Sequence, residues 1–339
     1  TGDDDKVLSV SSIANQTELT DLSISPKIKD VEALNNLTKL KTLSIKEIDN
    51  ASYASIKTVL AKVEELEILD VTQECLDVLS DLDQLTRLRI WDYTNSDSMK
   101  KADFSKLKNL TQLDFTAEVE QVILPENGEL QSLTLQKLNY ESDDKIHVKN
   151  LDKQSKLVSL ALCCTDVKNL DEISKLSELG SLSISYADLT ETKGIGKLTK
   201  LSDLSLERTK LTTISNELEN LTGLYRFYVR GNNDLTSIPD CLGNFTNLNR
   251  IAITDNKKLT SIGNSISKLT KVYELYLYNN ALTSLPNLRG LCTEEGLFAY
   301  GHGYETTDGP LQIWGNELSR EAIEAANLTS EFKDNENWI

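Results

Sequence analysis

The sequence predicts an α/β solenoid, a right-handed horseshoe of about 13 repeats of roughly 23 residues with a parallel sheet on its concave face. Three observations lead there. An apolar residue, two variable residues, a second apolar residue, one variable residue and a third apolar residue recur as a unit: Leu224, Phe227 and Val229, then Leu248, Ile251 and Ile253, then Val272, Leu275 and Leu277. Each unit closes three residues later on an asparagine, at Asn232, Asn256 and Asn280. The middle apolar residue can be followed along the chain as a register mark, through Leu22, Leu43, Leu69, Leu88, Leu113, Leu133, Leu160, Leu182, Leu204, Phe227, Ile251, Leu275 and Leu297. Its mean spacing of about 23 residues lies inside the period of such arrays.

The spacing has a physical reason. Side chains alternate across a strand, so the two apolar residues on either side of one variable residue enter the same core. Strands of successive units stack in parallel, and the asparagine bonds backbone of the neighbouring turn. Thr165 and Thr209 take its place in two units. One unit cannot bury its apolar face alone, whereas a stack buries a continuous leucine ladder.

Taken in order, residues 1–18 form an acidic lead-in, TGDDDK, and an N-terminal cap. Residues 19–300 are the array. Its intervals vary between 19 and 27 residues up to Leu160 and then settle to 22–24. The longer units have room for helical turns, and Ile56, Leu60 and Val63 predict one over Ser55–Leu66. Residues 301–339 comprise a loop (Gly301–Pro310), a terminal strand (Leu311–Leu318) and a capping helix over Ser319–Asn327 with Ser319 as N-cap.

These units resemble the leucine-rich repeats of bacterial proteins, on residues such as LTSIPDCLGNFTNLNRIAITDN, over roughly Leu19 to Leu318. Thr236-Ser237-Ile238-Pro239 lacks the glycine of plant receptor repeats, and neither end carries the cysteine cluster of animal extracellular members. The resemblance is to internalin-like and BspA-like surface proteins. It implies an extracellular or cell-surface location and a protein or glycan ligand, although the chain shows no sorting signal, lipid-anchor cysteine or immunoglobulin-like module. An intracellular scaffold or effector is the alternative, which unpaired cysteines favour.

Composition narrows the function. With 36 basic and 53 acidic residues the net charge is −17, which disfavours nucleic acid and anionic lipid. No run of 18 apolar residues offers a membrane span. Catalysis is poorly supplied: His147 and His302 are the only histidines, and His302 falls in the asparagine slot 22 residues after Asn280. Gly194-Ile195-Gly196 follows no phosphate-loop pattern, and Asp143-Asp144 lacks calcium-loop spacing. Six Asn-x-Thr triplets, at Asn15, Asn36, Asn109, Asn220, Asn244 and Asn327, read as repeat turns rather than glycosylation sites. Of five cysteines, Cys75, Cys164, Cys241 and Cys292 read as small core fillers and Cys163 as outward-facing. Cys163 and Cys164 should point to opposite faces of a strand. No metal site and no cofactor is expected.

The variable positions of the strands say more. Ser132, Thr134, Ser159, Ala161, Ser181, Ser183 and Ser185 make a bland surface. Further on the same positions hold Arg226, Tyr228, Arg230, Arg250, Glu274, Tyr276, Tyr278, Phe298, Tyr300 and Trp314. Tyr, Trp and Arg are the types enriched at interface hot spots, and the arginines locally reverse the field of an acidic chain, which favours an acidic ligand. Arg87, Arg89 and Trp91 form a smaller patch. The competing reading of both clusters is cross-strand pairing that stabilises an exposed sheet. The expectation is therefore a monomeric, non-enzymatic binding module.

Overall fold

The computed structural model describes residues 7–25, 27–46, 53–69, 71–93, 99–140, 142–288, 291 and 311–326. Two compact units divide the chain, Thr1–Asp166 and Val167–Ile339. In the first, strands Asp21–Ile24, Thr42–Ile45, Glu65–Leu69, Arg87–Trp91, Gln112–Thr116, Ser132–Gln136 and Ser159–Cys163 lie side by side in sequence order, all parallel. In the second, strands Ser181–Ser185, Asp203–Glu207, Arg226–Arg230, Arg250–Thr254, Glu274–Tyr276 and Leu311–Gln312 do the same.

The predicted alternation is present in most strands. In RFYVR, Phe227 and Val229 are fully buried while Arg226, Tyr228 and Arg230 are half-buried on the opposite face. Each buried leucine contributes roughly 1.5–3 kcal/mol, so the ladder is the main source of stability. The return limbs are short 3-10 turns, among them Ile195–Lys197, Asn216–Asn220 and Leu242–Asn244. Tight returns suit the regular 22–24-residue units. The first unit spends its extra residues on a helix, Gln73–Leu79, capped by Thr72, and on a side sheet of Met99–Asp103, Val119–Ile123 and His147–Lys149.

A ladder of buried polar side chains runs along the second unit. Asn232 Oδ1 accepts from the Thr209 amide at 3.0 Å, Asn256 Oδ1 from the Asn232 amide at 2.9 Å, and Asn280 Oδ1 from the Asn256 amide at 3.0 Å. Their amide groups donate back to the preceding repeat, Asn256 Nδ2 to the Val229 carbonyl at 3.1 Å and Asn280 Nδ2 to the Ile253 carbonyl at 2.7 Å. A side chain with one acceptor and two donors satisfies backbone groups that the sheet leaves over. In the first unit Glu118 does related work, its carboxylate accepting from the Leu138 and Asn139 amides at 3.0 and 2.9 Å.

The residue before each of these slots is left-handed: Cys164, Tyr186, Arg208, Gly231, Asp255, Asn279 and Gly315 all have φ between 48° and 67°. Gly, Asn and Asp adopt this region readily; Cys164, Tyr186 and Arg208 do so at a cost of roughly 1–2 kcal/mol each. At Gly315 an added Cβ would also lie 2.3 Å from Asn279 Oδ1.

The structure corrects several expectations. The helix over Ser55–Leu66 shrinks to a 3-10 turn, Tyr53–Ile56, and one α-turn, Lys57–Leu60, because Glu65 and Leu66 belong to the next strand. Leu66, paired with Leu43 and Leu88, therefore holds the register that Leu69 was expected to hold. At the other end Leu311 pairs directly with Leu275, so the thirteenth mark is Leu311 rather than Leu297. Asn316 follows Asn280 in the slot: its Nδ2 donates to the Ile313 carbonyl at 2.7 Å and the Leu277 carbonyl at 2.8 Å, while His302, expected there, lies outside the described residues. Cys163 and Cys164 do not diverge. The left-handed turn at Cys164 breaks the alternation and brings the two sulfurs to 3.8 Å. Cys163 is half-buried and Cys75, Cys164 and Cys241 are buried, as fillers should be. Helix Arg320–Ala325 forms with Ser319 Oγ accepting from the Ala322 amide at 3.2 Å. The lead-in 1–6, the loop 301–310, Leu297 and Cys292 lie outside the described residues.

Candidate ligand-binding face

Three rows of side chains cross the open face of the second unit. They follow from the parallel register, which sets equivalent residues of neighbouring strands beside each other. The first row is Asp203, Arg226, Arg250 and Glu274; the second is Ser205, Tyr228, Ala252, Tyr276 and Gln312. The third begins Glu207, Arg230, Thr254 and continues past the ends of the short strands to Tyr278 and Trp314. Eight of the ten residues singled out on the sequence are thus on one face. Phe298 and Tyr300 lie outside the described residues.

The first row is charge-balanced. Arg226 Nη1 meets Asp203 Oδ1 at 2.6 Å, and Arg250 Nε meets Glu274 Oε2 at 3.2 Å. Arg226 lies over Tyr225, 5.4 Å from the ring centroid, and Arg250 over Tyr273 at 5.3 Å, with Arg250 Nε donating to the Tyr273 hydroxyl at 2.8 Å. Tyr225 and Tyr273 stand just ahead of their strands and were not picked out on the sequence, although a tyrosine directly before the strand in both repeats, Tyr225-Arg226 and Tyr273-Glu274, was there to be seen. A hydrogen bond from Tyr273 pushes the Tyr225 phenol above its ordinary value, and burial does so for Tyr276. The arginines therefore reverse the field less than their number suggests.

The third row differs. Arg230 lies over the Tyr228 ring at 4.7 Å, and Tyr278 and Trp314 stack face to face, 4.5 Å apart and within 1° of parallel. Ala252 and Thr254 are fully buried between the larger residues of the flanking strands. No sequence signal marks them as a floor, because their burial comes from neighbours 24 residues away.

The smaller patch, in the first unit, is a closed ladder. Arg87 contacts Glu65 at 2.8 Å and Gln112 at 3.0 Å; Arg89 contacts Asp114 at 3.3 Å and Glu67 at 3.8 Å. Trp91 ends the same strand, half-buried. A polar groove of about 930 Å³ in this unit, lined by Lys41, Glu64, Thr86 and Thr111 among others, contains none of the candidate binding residues. His147 Nδ1 sits 2.5 Å from Asp166 on an exposed surface. Among the described residues no cluster of three or more His, Cys, Asp or Glu could hold a metal, and no helix is long and apolar enough to cross a membrane.

The fold has known counterparts. A leucine-rich-repeat protein of Leptospira interrogans superposes with a TM-score of 0.59 at 19% identity, covering 92% of this chain and 88% of that one. An internalin of Listeria monocytogenes gives 0.56 at 22% identity, covering 85% and 75%. This is the leucine-rich-repeat fold. The PEPR1–AtPEP1 structure gives 0.54 at 18% identity, covering 92% of this chain and 47% of that one. No family model and no curated protein sequence matches this chain.

Proposed function

We propose that this leucine-rich-repeat chain is a non-enzymatic binding module, displayed or secreted by a bacterium, that recognises a protein through the open face of the strands from Arg226 to Trp314. One observation carries the reading: tyrosine, tryptophan and arginine are concentrated on a single face of rigid parallel strands, already ordered against one another. Side chains held in place lose little entropy on binding, which favours affinity. The likeness to an internalin supports a surface location, and the PEPR1–AtPEP1 structure supports a protein ligand for this fold.

The probe is a set of peptides selected from a random dodecapeptide phage library panned on the chain. Alanine at Tyr228, Arg250 and Tyr276 together should abolish their binding and leave far-UV circular dichroism unchanged. Alanine at Arg87 and Arg89 should leave binding intact. Retained binding in the triple variant refutes the face. Binding to a glycan array without peptide binding would favour a glycan ligand instead. A second reading, a scaffold in a reducing compartment, draws on the buried thiols of Cys75, Cys164 and Cys241; a leader peptide in the full reading frame would exclude it.

A further inference from the structure

We infer that the ligand of this face presents an acidic side chain, and that Arg230 is the residue that selects it. The inference rests on the binding face proposed above and narrows it to one row and one chemistry.

The arginines are not equivalent. Arg87, Arg89, Arg226, Arg250 and Arg320 each have a carboxylate within 4 Å. Arg208 lies over the Tyr186 ring and donates to its hydroxyl at 2.5 Å. Arg230 alone among the described arginines has neither a carboxylate nor a side-chain hydrogen-bond partner. Glu207 faces it across the register but makes no ion pair with it, since the guanidinium is drawn over Tyr228 instead. A fixed cation without a counter-ion, on a chain of net charge −17, is complementary to an anion.

A second observation points the same way. Arg230 Nε, Thr254 Oγ1 and Trp314 Nε1 are buried without any hydrogen-bond partner, and all three belong to the third row. Leaving such a group unpaired costs roughly 1–3 kcal/mol. All three can donate hydrogen bonds once a ligand displaces the side chains that cover them, so their complement is a run of acceptors: a carboxylate with the carbonyls beside it.

The geometry favours a peptide over a sugar. Tyr278 and Trp314 are separated by about one inter-strand distance and are parallel, so each spends one face on the other. Sugars stack on ring faces. Tyr228 and Tyr276, with Ala252 between them, rise from strands roughly 9–10 Å apart, which leaves room between the two rings for one side chain.

The same library selection tests this with different variants. Selected peptides should share an Asp or Glu. Arg230→Gln should weaken them at least tenfold by calorimetry, with a urea midpoint lowered only by the loss of the contact with the Tyr228 ring, since no ion pair or hydrogen bond is lost. Replacing the peptide carboxylate by its amide should cost the same factor on the wild type and nothing further on Arg230→Gln. Peptides without a shared acidic residue, or affinity indifferent to Arg230→Gln, overturn the inference while the face stands. If panning returns no peptide, or peptides indifferent to Tyr228→Ala and Tyr276→Ala, the face itself is wrong and both readings fall.

Discussion

Replacing Asn256 by alanine tests whether the asparagine ladder or the leucine core sets the cohesion of the C-terminal repeats. The side chain makes three contacts in the interior. It accepts from the Asn232 amide at 2.9 Å, donates to the Val229 carbonyl at 3.1 Å, and approaches Asn280 Oδ1 at 3.1 Å. Asn232, Val229 and Asn256 are each 0% exposed, so water cannot replace what is lost. The variant strands one backbone donor and removes a partner from one backbone acceptor. At roughly 1–3 kcal/mol for each group the loss should be about 3–5 kcal/mol. Asn279→Gly, one residue before the next slot, tolerates the left-handed backbone there, gives up a half-buried bond to Asp255 at 2.8 Å and should cost about 1 kcal/mol. Asn256→Thr keeps one polar group in the slot, as at Thr209, whose hydroxyl donates to Asn232 Oδ1 at 2.5 Å, and should fall between Asn256→Ala and the wild type. Urea unfolding followed by circular dichroism gives the free energies, and hydrogen exchange should show the Asn232 amide losing protection first. A loss below about 1 kcal/mol in Asn256→Ala, or an unchanged Asn232 amide, would refute the argument from unsatisfied backbone.

Two further outcomes follow from buried groups. Thr254→Val exchanges a hydroxyl that has no partner for a methyl of the same shape, and should raise stability by about 1 kcal/mol in the absence of ligand, read from the urea midpoint. Cys241 is pushed up to about 11, first by burial and then by the charges of Glu219 and Asp240. A raised thiol pKa favours the neutral folded form, so its contribution is whole below the ordinary value of 9.0 and is lost as pH climbs from there to about 11. Urea midpoints across that window should fall less steeply in Cys241→Ala than in the wild type.

The regular half of the array was legible because each signal there is local. A Leu-x-Leu pair reports strand and core together, and Asn232, Asn256 and Asn280 report the turn. Where units depart from the period, local evidence competes. The apolar spacing of Ile56, Leu60 and Val63 matches a helix, and carrying that helix to Leu66 displaced the strand mark to Leu69. Near the C-terminus, Leu297 sits at the right distance from Leu275, yet Leu311 takes the place in the sheet. Which candidate joins a sheet is settled by packing between distant segments, and periodicity alone does not see it.

The candidate site divides the same way. Alternation was enough to place Arg226, Tyr228, Arg230, Arg250 and Tyr276 on one face. It could not tell a neutralised arginine from one left without a counter-ion, since that depends on Asp203 and Glu274 in other repeats. Nor could it show Ala252 and Thr254 as a floor, for which burial by flanking strands is required.

The pairing of Leu275 with Leu311 joins strands 36 residues apart, where neighbouring strands upstream are 24 apart. Chain-closure entropy grows only with the logarithm of length, so the added dozen residues cost about 0.4 kcal/mol. The sheet counts strands and is nearly indifferent to what is threaded between two of them. That point of the chain is therefore a natural graft position: a segment could be lengthened, shortened or exchanged between the buried Leu291 and Leu311 while Tyr278 and Trp314 stay stacked. Chimeras built there would vary the border of the binding face independently of its centre.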